Sequence, residues 1–386
     1  MQALVFEAEW SPRESYQPTE YERTNGKARV ASRVWRSSRL TVKSMPEPGI
    51  GADDVLIRVR AVGVCGSDRH ISERDGAGYT CYHGYLKSPV ILGHEYAGIV
   101  ERVGANVHEV SAGDFVVTEQ MLWCGRCRAC RRGFFNQCEN LEEFGFSTNG
   151  ACAEFVAMPA RFVWSINNFR ERFGDDRAAL QAGALVEPVA VGYNALFVSA
   201  GGFKPGAFVA IFGGGPQGLS ACALAEAAGA GMTILFDPHA ARRAVAQQMG
   251  ATHTFDSNSV DASQVLRELT QGHGADVIVE ATGNYQKTLP QIEASLAPHA
   301  KIVLIGYGGD RFPLRFDSIL LREAEIFGAA GHAGNGTFLN VIRLIASGKI
   351  DPRPIVGAKC PLNRAVDAIA ELARTREYAK VLIEIN

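Results

Sequence analysis

The sequence predicts a two-domain α/β protein: an antiparallel, barrel-like β region first, then a doubly wound parallel sheet. Three observations predict it. The N-terminal half lacks a sustained helical period and breaks into short apolar runs between turn residues. Past about residue 205, short apolar strands alternate with Ala- and Leu-rich helical stretches, the pattern of βαβ units. The 386 residues, 47% of them hydrophobic, can also bury a core in each of two domains.

In the first half the expected strands are Val55–Ala61, Ala97–Val103 and Phe115–Thr118, punctuated by Pro48-Gly49 and Gly113-Asp114. In the second, strands are expected at Phe208–Phe212, Met232–Phe236, Thr252–Phe255, Asp276–Glu280, Lys301–Ile305 and Ala324–Ala329. Helices Leu219–Ala228 and Ala240–Met249 fall between the first of these. The tail offers helices Phe338–Ser347 and Ala365–Arg374 and a last strand Lys380–Ile385, and by pattern it fits either half. Residues 9–34 and 73–89 stand out as polar, aromatic-bearing insertions with no readable role.

Composition narrows the function classes. The 39 Lys+Arg balance 41 Asp+Glu to a net charge of −2, so no basic excess exists to attract nucleic acid or an anionic membrane. Met1-Gln-Ala-Leu-Val-Phe-Glu7 reads as a strand without the features of a leader, and runs such as 207–212 are far shorter than the roughly 20 residues of a membrane helix. A cytoplasmic location is expected. Nine cysteines in a reducing compartment then point to metal binding before disulfides.

Cys124-x-x-Cys127-x-x-Cys130, with Cys138 after seven further residues, is the strongest local signal. Four thiolates at short spacing close a tetrahedral shell around Zn²⁺ and leave no position for water, so the site should be structural. An Fe–S cluster would take the same four ligands. The polar surroundings (Arg126, Arg128, Arg131, Arg132) suit no apolar core.

Gly213-Gly214-Gly215-Pro216-Gln217-Gly218 follows an expected strand and opens an expected helix. There the glycines let the backbone approach a pyrophosphate at the positive end of the helix. Asp237 ends the next strand, 19 residues after Gly218. A carboxylate at that place accepts both ribose hydroxyls and repels a 2′-phosphate, which favours NAD over NADP. Arg242 and Arg243 could instead accommodate the phosphate, although they fall a turn into the next helix.

A third constellation is dispersed: Cys65-Gly-Ser67-Asp68-Arg-His70, Gly93-His94-Glu95 and Val186-Glu187-Pro188. Together these offer one thiolate, one imidazole and two carboxylates, a set that suits Zn²⁺ with three protein ligands and one exchangeable position. In this order, with the four-cysteine lobe and the glycine turn, the motifs resemble those of the zinc-dependent medium-chain dehydrogenases over almost the entire chain. Glu187, where alcohol dehydrogenases proper carry a second Cys, resembles the polyol branch that holds sorbitol and threonine dehydrogenases. The insertions, with Met121-Leu-Trp-Cys-Gly125 and Gly331-His-Ala-Gly-x-Gly-Thr-Phe338, most resemble members acting on inososes in inositol catabolism.

The resemblance implies a GroES-like catalytic domain over 1–191, completed by 332–386, and a Rossmann NAD-binding domain over 192–331. It implies two zincs per chain. The catalytic one would sit on Cys65, His94 and Glu187, with Glu95 a direct or water-mediated ligand, and the structural one on the four-cysteine lobe. Ser67 would hydrogen-bond the substrate hydroxyl and pass its proton outward, with His70 as terminal base. Asp68 would hold the His94 imidazole in its metal-binding tautomer. The expected substrate is a small polar polyol or cyclitol, oxidised by hydride transfer to nicotinamide. Residues 306–308 and 329–333 would edge the nicotinamide, and the last strand of the parallel sheet would join a homodimer or homotetramer.

Other residues read more simply. Cys81, Cys152, Cys222 and Cys360 are expected as free thiols. Tyr82 and His83 are read as surface or interface groups, with a polar pocket lining as the alternative. Glu119 could touch a polyol. The competing functions are a threonine- or sorbitol-type dehydrogenase on the same ligand set, and a non-catalytic dinucleotide-binding protein.

Overall fold

The computed structural model describes residues 1–308, 312–375 and 378–386. Two units form separately, Met1–Glu187 with Val356–Arg376 and Lys380–Asn386, and Pro188–Ile355 with Glu377–Ala379.

In the first unit the main sheet runs Val163–Ser165, Phe115–Thr118, Glu95–Val103, Asp54–Gly63, Lys380–Glu384, Val356–Pro361, with Phe155–Pro159 also paired to Asp54–Gly63. Its pairings are antiparallel except the last, where Val356–Pro361 lies parallel to Lys380–Glu384. A parallel neighbour requires a crossover, and the helix Ala365–Thr375 supplies it. The tail's final strand therefore belongs to the first unit. Its consecutive apolar residues Val381, Leu382 and Ile383 are all buried.

Register decides what meets at the sheet's end. Gly63 pairs with Glu95 on one side and with Leu382 on the other. A Cβ at Gly63 would lie 2.2 Å from Glu95 Oε2, so glycine leaves the space that this carboxylate fills.

The two insertions are one structural feature. Lys27–Ala28 pairs antiparallel with Leu86–Lys87, and Ser32 Oγ meets His83 Nδ1 at 2.8 Å. The first insertion contains the helix Glu20–Asn25, started by a capping box in which Thr19 and Glu22 exchange hydrogen bonds.

The second unit holds a parallel sheet in the order His253–Phe255, Met232–Phe236, Phe208–Phe212, Ala275–Glu280, Leu296–Leu304, Glu325–Gly328. Every neighbouring pair is parallel. This is the doubly wound order in which the first strand stands beside the reversal point, where ligands bind at the carboxyl ends. Ala210, Phe212, Ile234, Phe236, Ile278 and Ile302 fill one side of it.

The boundaries differ from expectation. The chain leaves the first unit after Glu187, not 191, and returns at Val356, not 332. The helix Thr337–Ala346 stays with the second unit because Asn340 Nδ2 donates to Tyr193 Oη at 3.0 Å. Asn194 Nδ2 likewise donates to the Gly331 carbonyl at 3.0 Å. The sequence reading also found no run of membrane length, yet Asp176–Ser199 is one helical stretch of 24 residues with enough apolar character to span. With 72% of its apolar window buried inside the protein, it is a core helix.

Candidate metal and dinucleotide sites

Cys65 follows the strand Asp54–Gly63 and caps the helix Gly66–Ser72, while His94 and Glu95 open the strand Glu95–Val103. Gly93 makes that entry possible: its φ is +93°, and a Cβ there would meet Cys152 Sγ at 2.6 Å. Ligand atoms of Cys65, His94 and Glu95 all lie within 4.8 Å of one another. Glu187 is not part of that set, although its charge acts on His94, Asp68, Glu95 and Lys380. Burial opposes a proton on His94, but hydrogen bonding and attraction from Cys65, backed by Asp68 and Glu187, raise it to about 10. The site is thus an anionic pocket around one imidazole.

Sequence reasoning missed Lys380. Its Nζ donates to Glu95 Oε1 at 2.7 Å and Oε2 at 2.5 Å, and both side chains are buried. Burial would lower its pKa, but Glu95 outweighs that and raises it. The only hint in sequence was a lysine set directly before the apolar run Val381-Leu-Ile383.

One expected role, that of Asp68, looks different in place. Asp68 Oδ2 accepts from the Cys65 N–H at 2.9 Å and closes the start of the helix. Its Oδ1 and His94 Nδ1 are each buried without a hydrogen-bond partner, so the expected Asp68–His94 bond is not formed. The carboxylate is spent on the helix start, and it reaches the imidazole by attraction only. Ser67 Oγ is buried and unpartnered. His70 pairs with Glu73 at 3.2 Å and is half-exposed, its pKa lowered by burial and by Arg69.

A loop beside His94 carries further chemistry. Phe146 lies 4.6 Å from the His94 ring, and Tyr82 stacks on Phe146 at 5.4 Å. Tyr82 is therefore packed on the loop flanking the candidate site, not a surface group, whereas His83 is exposed. Glu143, in the short strand Glu142–Glu143, is half-buried and has no hydrogen bond or ion pair to its carboxylate among the described residues. Burial pushes it up to about 7, against the attraction of His94. Glu119, expected as a possible polyol contact, is buried and accepts from Trp164 Nε1 at 3.1 Å and Trp123 Nε1 at 3.4 Å.

Cys124, Cys127, Cys130 and Cys138 also bring their sulfurs within 4.8 Å of one another. Backbone N–H groups aim at them: Cys127 N to Cys124 Sγ at 3.4 Å, Cys124 N to Cys138 Sγ at 3.3 Å and Asn140 N to Cys138 Sγ at 3.4 Å. Such donors favour thiolates, and those from Arg126 and Cys127 lower Cys124 to about 6. All nine cysteines are free.

At the glycine turn, a Cβ on Gly218 would stand 1.8 Å from the Gly213 carbonyl oxygen, whereas one on Gly215 would meet nothing within 4 Å. Gly215 caps the helix Pro216–Ala227 without a side-chain bond, so the helix start is open. Gln217 Oε1 is buried without a partner. Asp237 Oδ2 accepts from the Gly214 N–H at 2.7 Å, and Oδ1 from the His239 N–H at 2.7 Å. Arg242 donates to the Tyr378 carbonyl at 3.2 Å and Arg243 to the Asp237 carbonyl at 2.8 Å. Beyond the strand ends, Gly306 and Gly308 pack so closely on Gly283 that a Cβ on either would clash with its backbone.

With this geometry in hand, comparison places the chain. Residues 51–168 match the alcohol dehydrogenase GroES-like domain, and 216–347 match the zinc-binding dehydrogenase domain. The chain belongs to the zinc-binding medium-chain dehydrogenases. It is 38% identical to scyllo-inosose 3-dehydrogenase of Thermotoga maritima, covering 99% of each. It is 32% identical to sorbitol dehydrogenase of Bacillus subtilis, covering 92% of this chain and 97% of that one. A solved candidate alcohol dehydrogenase from Thermotoga maritima superposes with a TM-score of 0.96 at 36% identity, covering 99% of both chains. The protein is an enzyme of the dehydrogenase class.

Proposed function

We propose that this enzyme is an NAD- and zinc-dependent dehydrogenase that oxidises a secondary hydroxyl of a polyol or cyclitol, of the inosose type. One observation carries the reading: the Cys65 thiol converges with the imidazole and carboxylate of the neighbouring His94 and Glu95 within 4.8 Å. The residues fit a zinc ion. Buried His94 Nδ1 and Ser67 Oγ lack partners, and the surroundings are anionic. Cys65, His94 and Glu95 would hold the ion, with Glu187 beside them. When bound, zinc supplies a Lewis acid that lowers the pKa of a hydroxyl toward neutrality.

The chain's own residues do the rest. Ser67 Oγ takes a hydrogen bond from the reacting hydroxyl and relays its proton. His70, half-exposed and paired to Glu73, is the outward terminus. Lys380 donates to both Glu95 oxygens, holding that carboxylate in place and opposing the burial that raises its pKa. The four-cysteine lobe would hold a second, structural zinc, its four thiolates closing the shell.

Gly215 and the open helix start fit a pyrophosphate, with Gly213, Pro216, Gln217 and Gly218 shaping the turn. Asp237, pinned by the Gly214 N–H, sets NAD above NADP because its charge repels a 2′-phosphate. Nine free thiols support a cytoplasmic setting. The edge strand Glu325–Gly328, with exposed Phe316, Leu320, Leu321 and Ile326 nearby in sequence, supports self-association into a homodimer or homotetramer.

The test is metal analysis together with a screen of cyclitols, alditols and amino alcohols with NAD, read by the absorbance of reduced nicotinamide. Near two zincs per chain with cyclitol or alditol turnover is expected. One zinc without turnover would make the protein a dinucleotide-binding structural protein. Cys65→Ser should lose turnover and one zinc equivalent while keeping NAD affinity. Normal turnover in that variant would remove Cys65 from the metal shell.

A further inference from the structure

Glu22, Glu119, Glu142 and Glu95 of the first unit, each buried or half-buried, are answered by donors. Glu22 accepts from Tyr16 Oη at 2.7 Å and from the Thr19 and Arg29 N–H groups. Glu119 has its two indoles, Glu142 has Lys27 Nζ at 2.6 Å, and Glu95 has Lys380. Glu143 has none among the described residues. A half-buried carboxylate with no protein donor keeps acceptor capacity free for a molecule that reaches it.

Its location narrows what that molecule is. Glu143 pairs with Met121 across a two-strand ribbon, and the turn that follows is fastened to the residue before His94. A Cβ at Gly145 would stand 2.6 Å from the Gly93 oxygen, and one at Gly150 would stand 2.3 Å from it. The two glycines therefore let this backbone lie directly on the entry to the candidate metal site. Phe146, three residues on, packs on His94 and carries Tyr82 from the second insertion. A carboxylate with unused acceptor capacity beside an aromatic stack matches a polyhydroxylated molecule: O–H groups donate to the anion while C–H faces pack on rings.

We propose that Glu143 is a specificity-determining residue that accepts hydrogen bonds from substrate hydroxyls remote from the carbon being oxidised, beside the Phe146–Tyr82 stack. This rests on the polyol or cyclitol reading above and assigns that substrate's remote hydroxyls a partner.

The experiment compares wild type, Glu143→Gln and Glu143→Ala as full-length, zinc-loaded proteins. The probes are scyllo-inosose, sorbitol, 2-propanol and L-threonine with NAD, and ligand-free melting is measured in parallel. Losing hydrogen bonds to a charged acceptor should raise the KM of Glu143→Ala for the polyhydroxy substrate by about 10- to 100-fold. Its preference for that substrate over 2-propanol should fall by a similar factor, and Glu143→Gln, which keeps one acceptor, should lose less. Ligand-free Glu143→Gln should melt no lower than wild type, because the substitution relieves an unanswered charge. A wild type that oxidises scyllo-inosose or sorbitol while Glu143→Ala keeps its KM and preference sinks the role of Glu143 alone. So does a Glu143→Gln protein that melts well below wild type, which would mark a structural role. A wild type active only on L-threonine, or on none of the probes, sinks the functional reading and this assignment with it.

Discussion

The two metal-like clusters of the first unit are built in opposite ways. The four-cysteine lobe is gathered from 15 consecutive positions, Cys124 to Cys138, and its sulfurs receive N–H bonds from their own loop. The Cys65 cluster draws on two turns, the start of a helix, and a strand whose key residue lies 285 positions from its partner. A local site needs only its own loop to fold. A dispersed site needs three strands in one register, and so inherits the stability of the whole sheet.

Breaking the Lys380–Glu95 pair should give the larger effect. Lys380→Met leaves a buried carboxylate unanswered, at a cost of about 3–5 kcal/mol. The melting temperature should fall while the metal proposed for the four-cysteine lobe stays bound. Adding Glu95→Gln should recover part of the loss. If both clusters lose metal together in the single variant, the lobe is not the independent unit its short span suggests.

Cys130→Ser should act the other way round. We expect one zinc equivalent lost and melting lowered by on the order of 10 °C, with NAD affinity retained. Scanning calorimetry with metal analysis reads both. An unchanged metal count would mean that the four sulfurs hold no ion.

The smallest effect sharpens the point about the last strand. At its other end Glu384 is bonded by Arg177 and Gln181, and despite partial burial these hold its carboxyl below the usual glutamate range. The folded pKa is therefore depressed. Its stabilisation is present above the unfolded value and disappears as pH falls through the lower folded one. Because Arg177 is largely exposed, Arg177→Ala should lower melting by only about 1–2 °C at pH 7. The difference between wild type and variant should vanish in acid. A difference that grows in acid would reverse the assigned sign.

Much of this architecture was legible before any coordinates. Phe115–Thr118 and Met232–Phe236 lie where their apolar runs predict, because a strand-length run between turn signals has few other ways to bury itself. Cysteine spacing and the glycine turn were readable for the same reason: their geometry closes within one loop. The domain returns were not. Nothing local distinguishes the helix Thr337–Ala346 from one belonging to the first unit, and only its bond to Tyr193 assigns it.

The candidate site divides along the same line. Cys65, His94 and Glu95 were named from motifs, and the fold brings them together. Asp68 was expected on His94 but turned to the Cys65 N–H, because a helix start offers a nearer donor. Tyr82 was left between surface and pocket, and Glu143 had no signal, since their meaning depends on which insertion packs on which turn.

By itself, then, the sequence determined the two kinds of sheet, the four-sulfur lobe, the dinucleotide turn and the thiol, imidazole and carboxylate of the dispersed site. Those features follow from periodicity and short spacing, which act over a few residues. Tertiary structure alone decided that Lys380 answers Glu95, that the two insertions pair, and that Glu143 has no donor among the described residues. Each depends on strand register and backbone approach between segments far apart in the chain, where close packing, not local preference, chooses the neighbour.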